Sequence, residues 1–206
     1  MRYNILLTFL FVLLTFSCNS DAEILIPEPE VILTENVLVY NSEKIHNNLT
    51  LLVKNASLTS LLVDKMGNTV YEWSFDTKLG NDFELLSNGK SIGMFKRTDP
   101  VISFGGYGGV VKIFDENGTE SWSYDYTNGN DIAHHDVEML PSGNVIFLVW
   151  EEISAFEAQA AGVDFNSNVY AETLIEVNPN TNQVEWKWRS WDHIVQEHDS
   201  NALNYD

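Results

Sequence analysis

From about residue 37 onward, apolar and polar positions follow one repeated scheme. A short apolar run meets an Asp or Asn that opens a turn, and a strand alternating around a Trp follows. The first copy runs Leu61-Leu62-Val63-Asp64-Lys65-Met66-Gly67-Asn68 into Glu72-Trp73-Ser74-Phe75. The second runs Val111-Lys112-Ile113-Phe114-Asp115-Glu116-Asn117-Gly118 into Ser121-Trp122-Ser123-Tyr124. The third runs Leu174-Ile175-Glu176-Val177-Asn178-Pro179-Asn180-Thr181 into Glu185-Trp186-Lys187-Trp188. Alternation of period two marks a strand with one wet face, so each Trp segment predicts a half-exposed outer strand, its Trp serving in packing. Asp64 to Asp115 is 51 residues and Asp115 to Asn178 is 63.

A second hairpin alternates with the first. Asp82-Phe83-Glu84-Leu85-Leu86-Ser87-Asn88-Gly89-Lys90 aligns with Asp136-Val137-Glu138-Met139-Leu140-Pro141-Ser142-Gly143-Asn144, 54 residues later. Pro sets φ, Gly permits a positive φ, and Ser and Asn bond back to their own backbone, so each copy predicts a tight turn. The β-branched and aromatic run Val145-Ile146-Phe147-Leu148-Val149-Trp150 then suits a buried strand. Two hairpins make a four-stranded unit of roughly 50 residues, the signature of a β-propeller blade. The expected class is therefore all-β. One blade covers about 82–126, another about 132–191 with an insertion over 151–172, and the tail of an earlier one about 37–76. Propellers close with about 4–8 blades, so under three blades predicts a portion of a longer protein.

The two copies differ where chemistry would sit. Gly80 and Asn81 occupy the places that His134 and His135 hold later. The template asks for the Asp, the apolar residues and the Gly, but not for the histidines. Both are expected near the start of their strand. Neighbouring strand residues point to opposite faces, so His134 and His135 share a face only at a bulge. An imidazole there suits general acid–base work near neutral pH, and His135 is slightly favoured. Asp136 either orients a histidine or, like Asp82, serves the turn. Trp150 is a candidate for stacking on an aromatic substrate, against a core role. Arg97 is a candidate for binding an oxyanion through its fork of donors, against a plain surface role. Asp192, His193, His198 and Asp199 offer metal-ligand types without Cys partners; a loop at the rim is the expected reading, with no metal.

Composition narrows the partners. The net charge is −19, and −20 without residues 1–17, which carry only Arg2. That disfavours nucleic acid and an electrostatic membrane patch. Arg2 followed by the apolar run Ile5 to Phe16 predicts a signal peptide over 1–17, too short to span a bilayer. Thr15-Phe16-Ser17-Cys18 is a loose lipobox, and Cys18 is the chain's one cysteine. Cys18 is thus the expected lipidation site, with 18–36 a Pro-containing, acidic tether and 37–206 the partial propeller. The membrane would be met only through the lipid, at an outer membrane, facing periplasm or cell surface.

His134-His135-Asp136 with Leu140-Pro141-Ser142-Gly143-Asn144, the Trp-bearing blade hairpins, Gly105-Gly106-Tyr107-Gly108-Gly109 and 191–199 together resemble the bacterial arylsulfate sulfotransferases. The resemblance covers about residues 37–206. It implies a six-bladed propeller and an exported enzyme. That enzyme moves a sulfuryl group from a phenolic sulfate to another phenol through a sulfated histidine, without a nucleotide donor or other cofactor. It implies that channel histidines bind the phenolic oxygen, with His134 or His135 in that role here. It also implies that the nucleophile and an arginine belong to later blades, beyond the motifs this chain carries. The alternative is a propeller lipoprotein that binds a ligand or partner without catalysis, or an inactive fragment.

Overall fold

The computed structural model describes residues 31–35, 37–163 and 166–193. The chain divides into two units, residues 1–32 and 33–206, and every element below lies in the second. Cys18, His198 and Asp199 lie outside the described residues.

Among the described residues, twelve strands form three antiparallel sheets, taken in chain order. The first holds β1 (Thr50–Leu52), β2 (Thr59–Val63) and β3 (Thr69–Ser74). The second holds β4 (Leu79–Leu85), β5 (Ser91–Lys96), β6 (Gly109–Phe114) and β7 (Glu120–Asp125). In the third, β9 (Asp131–Met139), β10 (Val145–Ile153), β11 (Val169–Asn178) and β12 (Gln183–Arg189) follow the same order, with the two-residue β8 (Thr127–Asn128) beside β9. A helix, α1 (Ala155–Ala160), lies between β10 and β11; the insertion expected over 151–172 is in part strand, since β10 runs to Ile153 and β11 starts at Val169. These consecutive meanders are blade-like sheets of an all-β chain.

The repeated turns explain themselves locally. Asp64 Oδ1 accepts the N–H of Met66 and of Asn68, and Asp115 Oδ1 accepts those of Asn117 and Thr119. Gly67, Gly89, Gly118 and Gly143 close their turns at φ between 78° and 86°, a region open to glycine at little cost.

The sheets pack face to face. Trp73, Phe75, Leu79, Phe83, Phe95 and Phe114 form the core between the first and second. Ile92, Met94, Val111 and Ile113 meet Ala133, Val137, Phe147, Val149 and Ile175 between the second and third. Along β10, Val145, Phe147 and Val149 are buried in this core, and Ile146, Leu148 and Trp150 face the other way. Trp186, expected in packing, is instead 45% exposed on β12, because no described element covers its face. Lys112 is buried at the second sheet and paired with Asp76 and Glu120 at 2.6 and 2.9 Å.

Candidate functional site

The histidines lie in the middle of β9, not near its start as expected. Val137 pairs with Phe147 and His134 with Leu148, so three steps along β9 answer one along β10. The extra residues, His135 and Asp136, form a bulge, and His135 sits at φ 54°. The bulge resolves the facing problem: it curls the chain so that both rings meet, Nδ1 to Nδ1, at 2.7 Å. The second sheet carries the same bulge. Leu79 pairs with Phe95 and Phe83 with Gly93, which leaves Asn81 at the place of His135. The irregularity therefore belongs to the blade, and what changes from blade to blade is the residue displayed on it.

His134 is 1% exposed. Its ring stacks on Trp150, with centroids 4.4 Å apart and planes 14° apart, and its Nε2 lies 2.9 Å from Oε2 of Glu172. Trp150 and Glu172 are cross-strand partners on β10 and β11, so one rung holds the ring by its face and its edge. Burial, with the His135 ring beside it, pushes the pKa of His134 down to about 4. Burial raises that of Glu172. His135, by contrast, is exposed. Among the described residues its Nε2 has no hydrogen-bond partner.

A loop from the second sheet, 97–108, completes the site. Gly108 N–H donates to Ala133 O, and His135 N–H donates to Gly106 O. Trp150 Nε1–H donates to Gly105 O at 3.3 Å, and Asn81 Nδ2–H to Gly106 O at 3.3 Å. One sheet earlier, Ala56 N–H donates to Leu79 O in the same manner, and Asn55 bonds Asn81. A hydrogen-bonded arc thus runs from Asn55 through Asn81, Gly106, His135 and His134 to Glu172, crossing all three sheets. Phe104, half exposed, packs edge-on against Tyr170 at 5.1 Å and tilted against Trp150 at 6.2 Å. It gives the arc an aromatic flank.

Of the residues singled out in the sequence, His134, His135 and Trp150 come together. Arg97 lies at the root of the loop and pairs with Asp125 at 3.3 Å. His193 stacks on Trp188, and Asp192 pairs with Arg189. Among the described residues no group of three or more His, Cys, Asp or Glu could hold a metal ion. Sequence reading missed Glu172, Asn81 and Phe104. Asn81 had a signal, its alignment with His135; the other two are joined to the site only by pairing and loop closure.

Below the bulges, Asp82 Oδ2 accepts the Val137 N–H at 3.2 Å and ties the second sheet to the third. Burial, and the Asp136 carboxylate beside it, push the pKa of Asp82 up to about 6, against its own bond from Val137. A carboxyl raised above its ordinary 3.8 favours the folded state most when protonated; stability is lost as pH rises from about 4 through 6. Asp82→Asn keeps an acceptor and removes the charge. It is expected to raise Tm by a few degrees at pH 7 and to make little difference at pH 4, read by thermal denaturation at both values. Equal effects at the two pH values would disprove the repulsion.

Residues 34–205 match the family model described as arylsulfotransferase (ASST). The chain belongs to the arylsulfotransferase family. No curated protein matches it. A solved structure that resembles it is a protein of unknown function from Bacteroides caccae, at 12% identity and a TM-score of 0.42. The likeness covers 72% of this chain and 41% of that one, so the chain spans less than half the length of that protein. The arylsulfotransferase match begins 16 residues before the first strand, at residue 34 against Thr50, and takes in all three sheets. The name of that family denotes transfer of sulfate groups.

Proposed function

We propose that this chain forms one wall of a sulfotransfer site. A sulfuryl group passes from a phenolic sulfate to a phenol through a sulfated histidine supplied by the rest of the protein, without a nucleotide donor. The observation that carries the reading is His135: an exposed imidazole on a bulge, with Nε2 unengaged, backed by buried partners and flanked by aromatic side chains. In the first half-reaction the S–O bond of the aryl sulfate breaks as an S–N bond forms on the nucleophile. The leaving phenolate takes a proton from solvent. In the second half the acceptor phenol gives its proton to Nε2 as its oxygen attacks sulfur and the S–N bond breaks. Proton transfer by a placed side chain contributes on the order of 10²–10⁴ in rate. Phe104 and Trp150 offer the apolar surface on which an aryl ring packs, and Arg97 would hold sulfate only after leaving Asp125.

The test is release of a coloured phenol from an aryl sulfate, with and without a second phenol, using the longest natural form of the protein. Acceptor-dependent turnover supports the reading. No turnover from a folded, complete protein leaves a ligand-binding propeller instead.

We also propose that the protein is exported and held at the outer membrane by lipid on Cys18, a reading supported by Arg2, the apolar run Ile5 to Phe16 and the cysteine that follows it. Cys18→Ser is expected to abolish incorporation of labelled palmitate and to leave the protein out of the membrane fraction. Unchanged labelling would refute the anchor.

A further inference from the structure

We propose that Glu172 and His134 form a relay that fixes the tautomer of His135, leaves its Nε2 lone pair facing the site, and takes up the proton that His135 collects. The direction of the hydrogen bonds follows from donor counting. A carboxylate only accepts, and a neutral imidazole carries one N–H. With Glu172 Oε2 at 2.9 Å, the proton of His134 sits on Nε2. Its Nδ1 then accepts, so the proton in the 2.7 Å Nδ1–Nδ1 contact belongs to His135. His135 Nε2 is left with a lone pair. Burial keeps His134 neutral, with a pKa near 4, so it passes polarity along without holding charge. The titratable groups in contact with the His134 ring nitrogens are His135 and Glu172.

The relay also balances the proton. When Nε2 of His135 takes a proton from a phenol, its Nδ1–H bond breaks and an N–H bond forms at His134 Nδ1. The Nε2–H bond of His134 then breaks and an O–H bond forms on Glu172. Both rings end neutral with their tautomers exchanged, and the proton rests on a carboxylate whose surroundings favour protonation. The Glu172 side chain is 42% exposed, so that proton can reach solvent. The fold does not require the chain, since the equivalent bulge in the second sheet carries Gly80 and Asn81 in its place. Glu172 and His134 are thus positioning residues, and of the three relay members only His135 touches substrate. This role rests on the sulfotransfer reading; the tautomer does not.

The experiment is nitrogen NMR of the histidine rings in the whole chain, as wild type, Glu172→Ala and Glu172→Gln. In the wild type at neutral pH, His135 is expected to be protonated on Nδ1 and His134 on Nε2. In Glu172→Ala, His135 is expected to shift toward Nε2–H. A wild-type His135 protonated on Nε2, or unchanged tautomers in Glu172→Ala, would overturn the relay. Glutamine still offers an oxygen but cannot take the proton. With an aryl sulfate, Glu172→Gln is therefore expected to lose at least tenfold in kcat with KM little changed, and a wild-type kcat would refute the proton step. If the wild type turns over no aryl sulfate, the sulfotransfer reading fails, while the ring spectra still decide the relay.

Discussion

His135→Gly is expected to cut acceptor-dependent turnover by about 10²–10⁴, the range set by loss of a placed acid–base group, while the protein stays folded. Glycine is the right replacement because the position sits at φ 54°. An alanine there would add roughly 1–3 kcal/mol of backbone strain, and lost activity would be hard to separate from lost structure. Removing the ring does deprive the buried Nδ1 of His134 of its donor, a change costing about 1–3 kcal/mol if nothing replaces it. The bulge is exposed, so water can fill that place, and the Tm should fall by only a few degrees. His134→Ala is the weaker test. It empties a space against Trp150, and a large-to-small change in a packed site costs about 2–5 kcal/mol on its own. Turnover of His135→Gly within threefold of wild type, with melting nearly unchanged, would remove His135 from the chemistry.

Much of the scaffold was legible because blades repeat. Aligning the two Leu-x-x-Gly hairpins gave strand order, turn chemistry and the odd status of the histidines. The sequence could not show the bulge itself. A strand pattern read at period two has no place for extra residues, and Asp131–Met139 contains no glycine to mark one. For the same reason the facing problem of His134 and His135 stayed open until register resolved it. Glu172 was out of reach because its contact depends on pairing across β10 and β11 after an insertion. Trp150 was visible as an aromatic, but its contact with His134 depends on the same bulge. Arg97 shows the opposite limit: its chemistry suits sulfate, yet Asp125 already holds it.

Gly106→Ala is expected to damage both stability and activity, and it tests the arc at its tightest point. Gly106 sits at φ 66°, and a Cβ there would fall 2.2 Å from Asn81 Nδ2 and 2.5 Å from His135 Nε2. Strain in the left-handed region costs about 1–3 kcal/mol. The neighbours are ends of side chains, so they can swing away, but each then gives up a contact in the arc, at about 1 kcal/mol apiece. A loss of about 3–5 kcal/mol is expected from these terms together, with kcat falling because the imidazole has moved. Gly143→Ala is the matched control. It has the same sign of φ, at 86°, and nothing lies within 4 Å of the added methyl. It should lose about 1–3 kcal/mol through backbone strain alone and keep its turnover. Denaturant melts and initial rates on the two variants separate the contributions: equal stability losses with equal rates would mean that the methyl meets no resistance at position 106, and that the loop does not hold His135 in place.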